Sequence, residues 1–427
     1  MVISTAADGG GESWVRTYAR DHTIHLLVVV FLVLYPGIYH FIGSADGTTL
    51  GKLLFPSMST MLELLTVALF AMSFDFISGY TGYLSFGHSL FFGTGVFLVL
   101  GTYSGSYEGI PVLGWIPASL PFMLLLLIAG LICIVLALLV GAVSFRLTGV
   151  YFAMITLGFA QVLYVFVRDW DYVSTNPRDG IALSGGRGFE LGVPFVDQLT
   201  VKLGTLTGDT LTLLGHTLGT TTVSFYAVGL VVLLCYLAMQ RIVHSPFGRV
   251  MIAIRENEER AEAIGYDTFR YKLGAFAISG FFGGVGGGLL AGFKRSVTPE
   301  TGFYFLTSGD ALLASIIGGF GTLAGPLWGH LFDESVREFL SKQGQGGGLL
   351  PYLESTLSEG FLATELYGGL TVEGFITAAL NGHASLYVGI VFVLFVLYVP
   401  DGLVGTVRDR LGGPVADRLP ERLWGDR

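Results

Sequence analysis

Apolar runs of membrane-crossing length alternate with polar links along most of the chain. About 20 apolar residues span the hydrocarbon core as a helix, so each run predicts one crossing. The runs fall at about Ile24–Ile42, Met58–Ser78, Leu84–Leu100, Ile116–Val143, Val150–Val167, Val223–Met239 and Leu273–Phe293. Ser308–Gly318 is apolar but short; the glycine-rich stretch from Gly319 to Pro326 breaks it, and Leu327–Leu340 resumes. Reading this region as two spans puts the C-terminal Arg408, Arg410, Arg418, Arg422 and Arg427 on the same side as Arg16 and Arg20, which the positive-inside rule requires. A last run, about Ser385–Val399, ends at Pro400-Asp401-Gly402. The predicted fold class is all-α: a polytopic membrane protein of about ten transmembrane helices.

The polar stretches set the rest of the layout. Residues 1–23 form a cytoplasmic arm, 24–405 the membrane domain and 406–427 a cytoplasmic tail. External loops are expected at about 168–221, which carries Asp169, Asp171, Asp179, Glu190, Asp197 and Asp209, and at about 341–384, which carries Glu354, Glu359, Glu365 and Glu373. The loop 241–272 holds Arg241, Arg249, Arg255, Arg260, Arg270 and Lys272 and belongs on the cytoplasmic side. Inside it, Ser245–Gly265 reads as one charge-dense helix, with Ser245 as N-cap, Pro246 in the first turn and Gly265 as a left-handed stop. Such a helix is either a solvated loop helix or a docking element. The caps, and the small Ala261 and Ala263 beside charges, favour docking.

Composition agrees with the class. Hydrophobic residues make up 52% of the 427 and charged residues 13%, about half the charged share of a soluble domain. The net charge is -9, and only five of the 23 basic residues are lysine, a balance suited to a prokaryote living in high salt. Cys133 and Cys235 both lie in apolar segments and read as packing residues, so no disulfide framework or metal site is expected.

No nucleotide-binding loop, hydrolase elbow or metalloprotease helix is present. Gly47-Thr48-Thr49-Leu50-Gly51-Lys52 is one residue short of a P-loop, and Gly284 and Gly288 form a small-residue packing face. The chain is read as a non-enzyme without a cofactor of its own. Ionisable residues inside spans are the default functional candidates, because burying them is costly; they are Glu63, Asp75, His88 and Asp310. Asp75 either faces a polar path or bonds backbone opened by nearby glycines. His88 is either a packed histidine or a solute ligand. Tyr80, Ser85 and Gln161 complete the path candidates, with interhelical hydrogen bonding as the alternative. Two glycine-broken stretches, Gly79–Leu84 with Gly82 and Gly319–Leu323 with Gly321, followed by Gly325, both come after an outside-to-inside span. Paired breaks of this kind often border a transport path, so these glycines are candidate hinges.

Three stretches carry a family resemblance: Phe74–Gly95 (FDFISGYTGYLSFGHSLFFGTG), Arg146–Gln161 (RLTGVYFAMITLGFAQ) and Ser245–Gly280. With Gly318–Pro326 (GGFGTLAGP), they resemble the inner-membrane permease of Liv-type branched-chain amino-acid ABC importers. The resemblance covers roughly Met58–Gly329 and the last span. It implies a homologous second permease, two ABC ATPase subunits that bind the ATP, an extracellular substrate-binding protein, surrounding lipid and no nucleic acid. It also implies a coupling motif, Glu-Ala-Ala-x-x-x-Gly, matched here by Glu259, Ala261 and Gly265, with Arg260 in place of the first alanine. Arg255 and Glu262 join the expected coupling set. Asp75 departs from the neutral residue expected there, and the 341–384 loop is longer than the family pattern. The implied function is a membrane path for branched-chain or related amino acids. The alternatives are urea or short amides, an ion-coupled carrier using Asp75 and His88, or a membrane scaffold.

Overall fold

The computed structural model describes residues 23–340, apart from 45–55, 108–109, 111–112, 118–119, 172–175, 183–188, 193–199, 204–209, 214–215 and 295, and then 361, 364–367, 370–372, 374–376, 384–399 and 402–406. The expected N-terminal arm, most of the 341–384 loop and the C-terminal tail lie outside the described residues.

The described chain runs α1 (Thr23–Ser44), α2 (Met58–Thr81), α3 (Ser89–Ser104), α4 (Phe122–Ser144), α5 (Val150–Arg168) and α6 (Thr220–Val243). It continues through α7 (Pro246–Glu256), α8 (Glu258–Ala263), α9 (Thr268–Lys294), α10 (Pro299–Phe303), α11 (Phe305–Gly318), α12 (Gly325–Leu340) and α13 (Ala384–Tyr398). Among the described residues, six helices are long and apolar enough to cross a membrane, and the segments within α1, α3 and α11 are shorter apolar helices. The molecule is an all-α, multi-pass membrane protein, as the apolar runs predict.

Three boundaries differ from expectation. Leu84–Gly87 is not the start of a span: α3 begins at Ser89 after a turn, which the apolar side chains there disguise. The fourth span starts at Phe122 rather than near Ile116, behind Pro121. The 168–221 loop contains short hairpins, with Phe189–Gly192 pairing Thr200–Leu203 and Thr210–Leu213 pairing His216–Gly219.

Helix α9 is the centre of the bundle, packed on α2, α3 and α4. Glycine makes this possible, since small residues let membrane helices close to backbone contact. A methyl group on Gly284 would lie 2.5 Å from Cys133 Sγ, and one on Gly288 would lie 2.5 Å from a Leu126 methyl. The expected small-residue face is therefore a real contact face. Cys133 and Cys235 are both free thiols.

The two ends of the bundle are tied differently. At one end Lys294 of α9 pairs with Glu63 of α2, Tyr164 donates to Glu300 Oε1 at 2.9 Å, and Ile181 pairs with Val297 in a two-residue antiparallel ladder. Asp310 and Arg337, 3.5 Å apart, join α11 to α12, and Asp333 accepts from Arg337 Nε at 3.0 Å. The other end carries the polar α7–α8 loop and both glycine turns.

Candidate functional site

The loop begins as the sequence predicts. Ser245 caps α7, its hydroxyl accepting from Gly248 N at 3.4 Å, and Pro246 occupies the first turn. Gly265 sits beyond the far end with φ +96. Between them, however, there is not one helix but two. Asn257 leaves helical geometry at φ -164 and ψ 105, ends α7, and caps α8 by accepting from Arg260 N at 2.8 Å. Asparagine's short amide competes well for backbone donors, which is why it breaks a helix here and starts another.

Folding back at Asn257 buries one face of the pair against the body of the protein. Val250, Ile254 and Ala261 form a small apolar cluster with Tyr271 packed on it. Ala261 is thus an internal packing residue, not part of the presented tip as its small size suggested. The exposed surface of the tip comprises Glu259, Arg260, Glu262, Ala263, Ile264, Gly265 and Tyr266, and Ile264 is 69% exposed. The sequence does not single out this exposed apolar side chain, which stands near the exposed Tyr266 and Phe269. Its position just before the glycine stop was the available signal.

Five side chains lock this part of the loop to the bundle. Tyr83 donates to Glu258 Oε2 at 2.6 Å, Lys272 Nζ pairs with Glu258 Oε1, and Lys272 also donates to the Tyr83 hydroxyl at 3.2 Å. The Lys272 ammonium lies 4.8 Å from the Tyr83 ring centroid, a cation–π distance. The Thr268 hydroxyl sits 2.6 Å from Glu262 Oε1 and 3.1 Å from Glu258 Oε1. Burial pulls the Glu258 carboxyl upward, but the hydrogen bonds from Lys272 and Tyr83 and the Lys272 charge outweigh it and hold the group below its ordinary range. Glu258 is absent from the expected coupling set. The clue to it was Lys272, one of five lysines, placed at the mouth of an apolar span where it requires a carboxylate. Glu262, expected on the docking surface, is exposed there and also accepts from Thr268.

The two glycine turns meet at this end. Asp75 is fully buried, and its Oδ1 accepts from Gly321 N at 3.0 Å. Tyr80 Oη accepts from Leu323 N at 3.2 Å. A methyl on Gly79 would fall 2.8 Å from Gly321 Cα, so these backbones touch. Gly319 meets Gly402 in the same way, which brings in the segment after α13. Gly82 and Gly321 both stand at φ +79, a region costly for side-chain-bearing residues. Gly325 opens α12 rather than lying in the break. Arg255, from an exposed position of α7, reaches inward and donates to Gly79 O at 2.5 Å.

The remaining path candidates do not join Asp75 and Tyr80 in one cluster of hydrogen bonds. His88 is fully buried at the start of α3, with Nε2 3.0 Å from Ser73 Oγ and 3.2 Å from Ser279 Oγ, inside the rings of Phe70, Phe74, Phe91 and Phe276. Its Nε2 ties α2, α3 and α9 together, while the buried Nδ1 has no hydrogen-bond partner. Ser85 is buried without a hydrogen-bond partner for Oγ, and Gln161 lies on α5 with its Nε2 likewise unpartnered. Among the described residues no group of His, Cys, Asp and Glu is placed to hold a metal ion.

A bundle of apolar spans with a polar two-helix loop clamped over paired glycine turns defines a multi-pass permease-type membrane protein. The family model for the permease component of branched-chain amino acid transport systems matches residues 58–345, and the chain belongs to that family. It is 28% identical over 254 residues to the high-affinity branched-chain amino acid transport system permease protein LivM of Salmonella typhimurium, covering 58% of this chain and 54% of that one. The Escherichia coli LivM protein matches at 28% over 249 residues with the same coverage. The probable branched-chain amino acid transport permease protein LivH of Methanocaldococcus jannaschii is 32% identical over 133 residues, which are 30% of this chain and 40% of its own. The chain spans about half the length of the two LivM relatives. No solved structure matches it.

Proposed function

We propose that this chain is the permease subunit of an ABC importer for branched-chain or related amino acids. Its sequence carries no nucleotide-binding loop, and it works with a homologous second permease, two ATP-hydrolysing subunits and an external substrate-binding protein. The loop end faces the cytoplasm, in keeping with its arginines. The observation that carries the reading is the α7–α8 loop: its inner face is bonded to the glycine turns, while Glu259, Ile264 and Gly265 remain free to meet a partner. ATP-driven movement of that partner pushes the loop, and the loop rocks the spans between inward- and outward-open states.

Substrate choice rests on the likeness to permeases of branched-chain amino acid transport. Uptake of labelled leucine and labelled urea, compared in cells with and without the gene, tests it. Loss of leucine uptake alone supports the amino-acid reading. Loss of urea uptake alone keeps the permease and replaces the substrate.

A further inference from the structure

Arg255 belongs by sequence to the loop that faces the partner, yet its guanidinium points the other way. Nη1 donates to Gly79 O at 2.5 Å. The same Nη1 lies 2.8 Å from where a methyl group on Gly321 would sit, so the left-handed glycine at 321 leaves room for it. Gly82 closes the far side, its missing side chain 3.5 Å from Arg255 Cγ. One arginine on the loop therefore touches three glycines that belong to two turns far apart in sequence. Asp75, one helical turn before Gly79, holds Gly321 N from the other side. The four main-chain groups of a helix end lack internal acceptors or donors and take partners where they find them; here the C-terminal carbonyl of Gly79 has taken the coupling loop.

We propose that Arg255 is a positioning residue that transmits movement of the α7–α8 loop to the Gly79–Gly82 and Gly319–Gly321 turns together. The inference deepens the importer reading and rests on it. Two of the loop's polar contacts with the bundle differ in kind. Glu258, Tyr83 and Lys272 anchor the loop beside the start of α9, whereas Arg255 bridges onto the junction of the turns. Arginine is suited to this task because its planar fork holds a fixed direction, and a lysine offers the same charge without that geometry. When the loop shifts, the Gly79 carbonyl shifts with it, and the adjoining Gly321 backbone has to follow or separate. Rigid-body rocking then begins at the point where both halves of the chain meet.

The test uses the full transporter in inside-out membrane vesicles, with Phe320→Cys as a reporter. Phe320 lies between Gly319 and Gly321 and is 40% exposed. Its labelling by a maleimide is read with and without ATP plus vanadate, and the parent chain with only Cys133 and Cys235 supplies the background. With Arg255 present, the nucleotide is expected to change the labelling rate on the order of tenfold, a typical coupling between sites. In Arg255→Ala the ATPase subunits are expected to co-purify normally while the nucleotide effect disappears, and Arg255→Lys is expected to restore part of it. An unchanged nucleotide effect in Arg255→Ala overturns the proposal and leaves the importer reading intact. Loss of the ATPase subunits from Arg255→Ala also overturns it, since Arg255 is then a docking residue. If Arg255→Ala does not reach the membrane, Arg255→Gln takes its place and is expected to show the same loss. If no ATPase subunit co-purifies with the unmodified chain, the importer reading fails and the proposal with it.

Discussion

Asp75 and Gly321 lie 246 positions apart and share one hydrogen bond, from the Gly321 N–H to Asp75 Oδ1 at 3.0 Å. The bond joins the end of α2 to the turn between α11 and α12. It gives a buried carboxyl a backbone partner in a place where an unpartnered one is costly. Asp75→Asn keeps an oxygen acceptor and removes the charge, and is expected to fold and assemble like the parent. Asp75→Ala leaves Gly321 N without its acceptor and is expected to lose about 1–3 kcal/mol of stability. Detergent-solubilised unfolding midpoints for the two variants separate these outcomes; equal losses would show that the charge, not the hydrogen bond, matters.

Glycines in the same region are predicted to differ sharply. Gly321→Ala places a side chain at φ +79 and against Arg255, and is expected to cost about 1–2 kcal/mol or more. Gly309→Ala, within α11, meets nothing within 4 Å and is expected to stabilise by about 0.5–1 kcal/mol through helix propensity. Thermal midpoints of the pair check this. A neutral Gly321→Ala would mean the turn does not hold that backbone.

The Lys272–Glu258 pair is anchored on a lysine whose side chain is only 5% exposed, while Glu258 is 27% exposed. Glu258→Ala strands the buried ammonium and is expected to cost about 3 kcal/mol, the low end for broken buried pairs because Glu258 is partly open to solvent. Since the folded carboxyl is held below its ordinary value of 4.5, its contribution is complete above that value. It fades as pH falls through the depressed folded value. Stability against pH should therefore decline less steeply on the acid side in Glu258→Gln than in the parent. Parallel acid limbs would contradict the assignment.

Much of this was legible in the chain. The order of the apolar helices through α11, the break near Gly319, the Ser245 cap and the Gly265 stop follow from apolar run length and turn chemistry. Leu327–Leu340, expected as a span, instead falls in α12, which is not among the apolar helices of the described residues. The fold-back at Asn257 was hidden because residues 255–260 are polar on every side, which leaves no periodicity to mark an inner face. For the same reason the inward bonds of Arg255 and Glu262 are not legible, and neither is the anchoring role of Glu258. The contact of Gly79 with Gly321 is a tertiary fact. Paired glycine breaks suggested a relation between the turns, but no spacing along the chain announces that two backbones touch. The turn at Leu84–Gly87 is hidden because Leu84 and Phe86 continue into the apolar run of α3, which outweighs the break signals of Ser85 and Gly87.

Ile264, raised on the loop next to Gly265, is the point at which the account places the contact with a separate ATP-hydrolysing subunit. The most direct measurement is co-purification of that subunit from solubilised membranes with the parent chain and with Ile264→Asp. The account predicts that the parent brings down an ATPase subunit and takes up leucine, and that Ile264→Asp folds normally but loses both. Retention of the subunit and of uptake by Ile264→Asp, or leucine uptake by membranes lacking any ATPase partner, would contradict it.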